Sequence, residues 1–330
     1  MSFAENKNSL TIGFANWPNP IGPTEDVYAH LLSLSLRRDV LVECDPNKEV
    51  DICIESVYGR NPLPSFRARS YRFLASHTKA GIDFSKSKYS PNQQPTRKAK
   101  YSIFFTGENE RPPYGDWDCY LSFDLNSYGG KNAYLPLWWI TSSDLIRPTV
   151  SPYLGRSITL EELLAPRESD FKKRNKFCVA FIGKAYPFRM QAIAALSAIG
   201  KVDVFGGIAR NSGKKAAFEK YETSQKYKFV FAFENDLFPG YVTEKAPEAW
   251  ATGAIPLYWG SDPSGYLNQD AMINLANYQN LESFTKRVGE VSNNPQVWQN
   301  IASQPILRKK PNLDEVVSVI RTALAPLVRS

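Results

Sequence analysis

The chain has 330 residues, of which 43% are hydrophobic and 13% aromatic, with a formal net charge of +7 and a pI near 9.0. This length and apolar content predict two domains with substantial cores. No run approaches the roughly 18 apolar residues of a membrane-spanning helix. The N-terminal sequence MSFAENKNSL lacks the charged and apolar regions of a signal peptide, so we expect a cytoplasmic protein, attached to a membrane at most peripherally.

The positive charge allows an anionic partner, but its distribution does not favour nucleic acid. Basic residues are scattered, and the densest run, at 172–176, lies in an apparent linker without interleaved aromatic residues. The four cysteines form no CxxC pair and no metal-ligand spacing with the two histidines, so we expect four buried free thiols. Nothing in the sequence indicates an oligomeric state.

Strands alternate with a helix through the first half of the chain. The alternation predicts βαβ units and a mostly parallel sheet. A stretch rich in Ser, Lys, Pro and Gln at 85–100 predicts an exposed loop. The predicted strands are 10–16, 40–43, 51–55 and 101–105, and the predicted helix is 26–38.

Two carboxylates, Glu108 and Glu110, follow the predicted strand 101–105 at its carboxyl end. They are either solvated loop acids or include a general base at the mouth of a cleft, and the residues alone leave both possibilities open. Asp116 and Asp118 supply too few ligands to predict a metal site. The Pro-, Ser- and charge-rich segment 142–175 predicts a domain boundary, with one domain at 1–150 and a second at 151–330.

The second half repeats the strand and helix alternation and places cations near helix starts. Arg189 falls in the first turn of a predicted helix at 187–199, and Lys245 in the first turn of a later helix capped by Thr243 and ending near Gly253. The helix dipole does not stabilise a cation at a helix N-terminus, so these two residues need another explanation. Together they predict a pyrophosphate site without a metal. For Arg189 the alternative is a surface arginine packed over a core edge. The remaining predicted strands are 176–182, 201–205, 229–233 and 254–259, and the remaining predicted helices are a short one near 160–164, 214–226 and 313–328.

The sequence FENDLFPGYVTEK followed by GAIPLYWGSD resembles the signature of the α-1,3-fucosyltransferases of glycosyltransferase family 10. AYPFRMQAIAAL resembles the arginine-bearing helix of that family, and YSIFFTGENE resembles the segment that carries its proposed base. The resemblance spans about residues 10–280 and is stronger in the C-terminal half. It implies an α/β fold of the GT-B type, with two Rossmann-like domains facing across a cleft. The N-terminal domain would bind the acceptor and the C-terminal domain GDP-fucose.

The resemblance also implies roles for particular residues of the C-terminal half. Arg189 and Lys245 would contact the pyrophosphate. Tyr241 and Glu244 would contact the nucleotide sugar, and Asn235 would line the donor pocket.

In the N-terminal half, Glu110 aligns with the proposed base of the family and Glu108 is the alternative. Arg111 stands where relatives often have Ser, which makes acceptor contacts at this position uncertain. The implied reaction is an inverting transfer of L-fucose to O3 of GlcNAc or glucose in an oligosaccharide of the lactose or N-acetyllactosamine type. No cofactor and no metal ion are expected.

Two other functions are compatible with the same residues. The chain could be a GT-B transferase that uses another nucleotide sugar. It could instead be a non-catalytic module that binds a sugar nucleotide or a glycan, which would keep Arg189 and Lys245 but has no need for Glu110. Neither the acceptor nor the choice between α-1,3 and α-1,4 linkage follows from the sequence.

Overall fold

The computed structural model describes residues 9–17, 25–58, 95–112, 115–151, 154–207, 212 and 220–328. Most of the predicted loop at 85–100 and the first part of the predicted helix at 214–226 lie outside these residues.

The chain divides into two compact units. The first is formed by Met1–Pro136 together with Asn312–Ser330, and the second by Leu137–Pro311. The predicted domains, 1–150 and 151–330, differ from this division at both ends of the second domain. The boundary comes earlier in the chain, and the last segment returns to the first unit.

The first unit contains the strands β1 (Leu10–Ala15), β2 (Val40–Val42), β3 (Val50–Glu55), β4 (Ala99–Thr106), β5 (Cys119–Ser122) and β6 (Asn132–Tyr134). They form a six-stranded sheet in the order β2-β1-β3-β4-β5-β6, and every neighbouring pair is parallel. The central strands are short runs of β-branched and aromatic residues, which suits a parallel sheet whose strands are buried on both faces. The strands predicted in this half are confirmed.

The second unit contains the strands β7 (Lys176–Ile182), β8 (Val202–Gly206), β9 (Tyr227–Phe233), β10 (Ile255–Trp259) and β11 (Ile273–Asn274). They form a second parallel sheet in the order β11-β10-β9-β7-β8. Phe229, Phe231 and Phe233 of β9 lie in the core, because this strand has a neighbour on each side. The predicted α/β class with two sheets is confirmed.

Helices accompany both sheets along the chain. None of those in the described residues is long and apolar enough to cross a membrane. In chain order they are α1 (Glu25–Leu36), α2 (Leu137–Thr141), α3 (Leu160–Leu164), α4 (Pro187–Ser197), α5 (Lys220–Ser224), α6 (Lys245–Ala251), α7 (Leu281–Asn293), α8 (Pro295–Ala302) and α9 (Asp314–Ala323).

The last helix, α9, belongs to the first unit. Val316 and Ile320 are buried, and Arg321 Nε donates a hydrogen bond of 2.7 Å to the carbonyl of Ser35 in α1. The helix is shorter than the predicted 313–328, since Pro326 cannot continue it and a 3₁₀ turn follows at Ala325–Leu327.

The order of the second sheet has a functional consequence. The chain passes from β7 to β8 on one side and returns to β9 on the other, so the crossover direction reverses between β7 and β9. Open α/β sheets bind ligands at the carboxyl ends of the strands at such a reversal. Helix α4 follows β7, and the segment leading to α6 follows β9, so Arg189 and Lys245 both come from this edge.

Three of the four cysteines, Cys53, Cys119 and Cys178, are buried free thiols as predicted, but Cys44 is exposed. Cys44 follows β2, which within the described part of the chain has β1 as its single neighbouring strand and so lies at an edge of its sheet. Burial raises the pKa of the Cys119 thiol to about 12, so it stays protonated and unreactive near neutral pH.

Candidate active site

Arg189 is buried, with a relative exposure of 5%, in the first turn of α4. Its Nη1 donates to Asn235 Oδ1 at 3.2 Å, and its guanidinium lies over the ring of Phe231. Its Nε has no hydrogen-bond partner, and no carboxylate oxygen of the described residues lies within 4.0 Å of the guanidinium. Burial lowers the pKa of Arg189, although nearby Glu234 opposes the shift. A buried cation without an adjacent anion is a candidate site for an anionic ligand.

Lys245, at the start of α6, is held by Glu234 and Thr243. Its Nζ donates to Glu234 Oε2 at 2.9 Å and to Thr243 Oγ1 at 2.8 Å. Burial on its own would lower the pKa of Lys245, but the attraction of Glu234 and Glu244 outweighs it and the pKa is raised. The ammonium group therefore remains charged at neutral pH and beyond.

Thr243 does not cap α6 as predicted. Its backbone N–H and its hydroxyl both donate to the carboxylate of Glu234, and the N-cap residue is Glu244, whose side chain makes no capping hydrogen bond. A buried carboxylate needs several donors, and this demand outweighs the local preference of threonine for the cap position.

A second group of charges lies along α6. Glu248 Oε1 accepts a hydrogen bond of 2.6 Å from the hydroxyl of Ser151, and Lys220 Nζ lies 3.7 Å from Glu248 Oε2. Burial raises the pKa of Glu248 to about 7, against the influence of Lys220. The charge of Glu244 links the two groups, since it interacts with both Lys245 and Lys220.

The predicted donor-site residues thus come together within the second unit. Arg189 contacts Asn235 directly, and Tyr241 and Glu244 lie close enough to Arg189 to affect its pKa electrostatically. Lys245 and Arg189 also influence one another electrostatically. Two cations from segments far apart in sequence therefore share one carboxyl edge of the sheet.

The predicted base candidates lie in the loop after β4 of the first unit. The hydroxyl of Thr106 donates to the backbone carbonyls of Glu108 and Glu110, at 3.3 and 2.8 Å. Glu108 Oε1 accepts a hydrogen bond of 2.5 Å from the hydroxyl of Tyr58. Both glutamates are partly exposed. The loop is therefore tied to its own strand through the backbone, with carboxylates that solvent can reach.

Arg111, the departure from the family pattern, points into the protein. Its side chain is buried, and its Nε lies 3.2 Å from Asp124 Oδ2. Asp118 accepts hydrogen bonds from the backbone N–H and the hydroxyl of Ser102. Both Asp124 and Asp118 therefore hold the fold together.

A cavity of about 780 Å³ in the first unit is lined by the end of β1 and by the segments that lead into β3 and β4. Asn16, Trp17 and Thr96 are among its lining residues. Glu55, at the end of β3, accepts hydrogen bonds from Asn16 and Thr96.

Three charged residues that lie beside the predicted site residues were not themselves predicted, namely Glu234, Lys220 and Glu248. The sequence could have indicated Glu234, because it directly follows a fully apolar strand. If that strand is central, the carboxylate is buried and needs hydrogen-bond donors or a cation beside it. Lys220 and Glu248 carried no such signal, since their proximity depends on how α5 and α6 pack.

Residues 171–301 match the sequence model described as glycosyltransferase family 10 (fucosyltransferase) C-term. The matched segment contains Arg189 and the whole stretch from Glu234 to Lys245. The resemblance stated from the sequence is confirmed by this match and by the similarities that follow.

Curated relatives match parts of the chain. Over 200 residues it is 28% identical to the alpha-(1,3)-fucosyltransferase FucT of Helicobacter pylori, covering 54% of this chain and 42% of the relative. Over 110 residues it is 36% identical to the Homo sapiens 4-galactosyl-N-acetylglucosaminide 3-alpha-L-fucosyltransferase FUT6, covering 31% of this chain and 29% of the relative. The chain therefore matches less than half the length of either relative.

Solved structures match along the whole chain. A crystal structure of an alpha1,3-fucosyltransferase superposes with a TM-score of 0.65 at 21% identity, covering 99% of this chain and 92% of that one. A crystal structure of an alpha1,3-fucosyltransferase with GDP-fucose gives a TM-score of 0.64 at 20% identity, covering 100% and 94%. Together with the two parallel sheets, these similarities confirm the predicted GT-B class.

Proposed function

We propose, on the premise that residues 171–301 are a C-terminal domain of glycosyltransferase family 10, that this chain is an inverting α-1,3-fucosyltransferase that uses GDP-fucose. The observation that supports this most directly is the buried guanidinium of Arg189, which has no carboxylate within 4.0 Å among the described residues and shares a sheet edge with Lys245. A diphosphate would supply the missing negative charge.

The donor would be bound by the cluster of the second unit. Arg189 and Lys245 bind the pyrophosphate, and Asn235 orients the guanidinium through its hydrogen bond to Nη1. Tyr241 and Glu244 contact the nucleotide sugar. An alpha1,3-fucosyltransferase of the same fold has a structure with GDP-fucose, which supports this choice of donor.

The reaction would be a single displacement at C1 of fucose. Glu110 takes the proton of the acceptor hydroxyl while its oxygen attacks C1 from the face opposite the diphosphate, so a new C–O bond forms as the bond to GDP breaks. Negative charge grows on the departing diphosphate, where Arg189 and Lys245 stabilise it. Glu110 is preferred to Glu108 because it aligns with the proposed base of the family.

We further propose that no cofactor or metal ion is required. In many glycosyl transfers a divalent cation balances the diphosphate, and here two side-chain cations supply that charge. Full activity in the presence of EDTA is the expected result, and restoration of lost activity by Mg²⁺ or Mn²⁺ would refute it.

For the acceptor we propose O3 of GlcNAc or glucose in an oligosaccharide of the lactose or N-acetyllactosamine type. The name of the human relative, a 4-galactosyl-N-acetylglucosaminide fucosyltransferase, supports this class. We also propose a cytoplasmic location, with at most peripheral attachment to a membrane.

The test is transfer by the purified full chain from GDP-fucose to a panel of lactose, N-acetyllactosamine and its β-1,3-linked isomer. We expect GDP release only with an acceptor present, and an α-1,3 linkage in the product by NMR. If no acceptor of the panel leads to release of GDP, the proposed activity is refuted.

Two alternatives make different predictions in simple assays. A transferase that uses another nucleotide sugar would be stabilised more by UDP, ADP or CMP than by GDP in thermal unfolding. A non-catalytic module would be stabilised by GDP but would release no GDP from GDP-fucose. In such a module Glu110→Gln would leave the binding of the sugar nucleotide and of the glycan unchanged.

A further inference from the structure

Glu234, which lies beside Lys245 and Thr243, accepts four hydrogen bonds through its carboxylate. It lies at the carboxyl end of β9 and is fully buried. Oε1 accepts from the backbone N–H of Thr243 at 2.8 Å and from the Tyr258 hydroxyl at 3.4 Å, and Oε2 accepts from the Thr243 hydroxyl at 2.8 Å and from Lys245 at 2.9 Å. An ionised carboxylate can accept all four, because it carries lone pairs and no proton.

These hydrogen bonds join the two ends of a loop. Glu234 precedes the segment that carries Asn235 and Tyr241, and Thr243 with Lys245 ends it. Asn235 is the residue that contacts Arg189. The Glu234 carboxylate therefore holds the two ends of the loop together. In this way it also helps to fix the position of Asn235, the hydrogen-bond partner of Arg189.

The Lys245 ammonium group is restrained by the same arrangement. Two of its three N–H groups are directed to Glu234 and Thr243, and the Thr243 hydroxyl in turn donates to Glu234, which closes a ring of three groups. Within the described residues the third N–H has no hydrogen bond, since Glu244 Oε1 lies 4.0 Å away. A lysine stem is flexible, so without these contacts the ammonium would take many positions.

We propose that Glu234 is a positioning residue that holds Lys245 so that its remaining N–H is presented to the diphosphate of the donor. This inference rests on the proposed function. It differs from the simpler view in which Glu234 only neutralises a buried lysine.

Glu234→Gln separates these two views because they predict opposite changes in GDP affinity. If Glu234 is only a counter-ion, its neutral replacement removes a charge that repels the diphosphate, and GDP binds as tightly or more tightly. If Glu234 positions Lys245, GDP binds about tenfold more weakly despite the more favourable net charge. Guanosine, which has no phosphate, should bind both proteins equally. Equal or tighter GDP binding by the variant, or an equal loss of guanosine binding, would overturn the proposal.

Two further variants control for general damage to the fold. Glu234→Asp keeps the charge on a shorter side chain and should restore part of the GDP affinity. Asp203→Asn removes a buried carboxylate of the same sheet, which accepts a hydrogen bond of 2.7 Å from the Tyr227 hydroxyl, and should leave GDP affinity unchanged. All variants are compared at 10 °C, with near-UV circular dichroism to confirm the folded state.

A second measurement does not depend on GDP. The rate at which acetic anhydride labels Lys245, followed by mass spectrometry of the full chain, should rise several-fold in Glu234→Gln and, to a smaller extent, in Glu234→Asp, because both changes release the ammonium group from its fixed position. Loss of the charge alone would raise the rate in Glu234→Gln but not in Glu234→Asp, and that result, or an unchanged rate in both variants, would overturn the positioning role. If the parent protein binds no GDP, the proposed function fails, and the labelling rate still decides the role of Glu234.

Discussion

The Nε of Arg111 lies 3.2 Å from Oδ2 of Asp124, and both side chains are almost completely buried. Asp124 also accepts a hydrogen bond of 2.8 Å from the hydroxyl of Tyr128. The ion pair thereby attaches the loop that carries Glu108 and Glu110 to the connection between β5 and β6. An arginine directly after the proposed base therefore serves to hold the loop in place.

We expect Arg111→Ser to destabilise the protein by about 3 kcal/mol, because it leaves the Asp124 carboxylate buried without its cation. Urea unfolding of parent and variant measures this difference. The double variant Arg111→Ser/Asp124→Asn should lose less than the sum of the two single variants, since the uncompensated charge is gone. Strict additivity would show that the two residues do not act as a pair.

Glu110→Gln should lower fucose transfer by at least about a hundredfold, which is the lower range of what a positioned base contributes. GDP binding should be unchanged, because the proposed role of Glu110 is toward the acceptor hydroxyl, which GDP does not carry. Glu108→Gln is the matched control, since glutamine can still accept from Tyr58 and should retain most of the activity. The reverse pattern in GDP-release assays would assign the base to Glu108.

Arg189→Met should weaken GDP binding without destabilising the protein. Burial opposes the charge of Arg189, so a methionine that keeps contact with Phe231 relieves a desolvation cost. We expect a thermal midpoint equal to or above that of the parent, with turnover lowered about a hundred- to thousandfold. A clear fall of the midpoint with GDP affinity intact would make Arg189 a structural residue.

The sequence allowed much of this architecture to be predicted, because the strands of parallel sheets are continuous apolar runs. The run from Phe229 to Phe233 marks β9, and Arg189 and Lys245 stood out because cations at helix starts need another explanation. The position of α9 on the first unit could not be predicted, because it depends on contacts such as Arg321 with Ser35.

The prediction that Thr243 caps α6 was wrong because it, too, depends on a tertiary contact. Thr243 satisfies every local rule for an N-cap residue, but the buried carboxylate of Glu234 takes its hydroxyl and its backbone N–H. Local propensity contributes about 1 kcal/mol at such a position, whereas an unsatisfied buried charge costs several times more. The tertiary demand therefore decides the local structure.

Glu248 should make stability depend on pH. Because its pKa is raised to about 7 in the folded state, from 4.5, the folded protein binds a proton that the unfolded chain releases between these values. Stability should therefore fall as pH rises from about 5 to 7, and Glu248→Gln should remove this slope. The difference in unfolding free energy between parent and variant should change by on the order of 3 kcal/mol between pH 4 and pH 8. A difference that is constant with pH in urea unfolding would contradict the shift.

Gly253→Ala should destabilise the second unit through Arg174. Gly253 has φ of +84°, and a Cβ at this position would lie 2.0 Å from Arg174 Nη2. That guanidinium donates to the carbonyls of Thr252 and Ser224 at the ends of α6 and α5, and to the carbonyl of Tyr227. Helix ends leave carbonyl groups without intrahelical partners, so displacing the arginine leaves buried acceptors unsatisfied.

The expected loss for Gly253→Ala is about 3 kcal/mol, from backbone strain of about 1 to 2 kcal/mol and from the displaced hydrogen bonds. Gly265→Ala is the matched control, because Gly265 also has a positive φ, +68°, but a Cβ there would meet no atom of the described residues within 4 Å. It should lose only the strain energy. Urea unfolding of both variants measures the difference, and equal losses would show that Arg174 adjusts without giving up its carbonyl contacts.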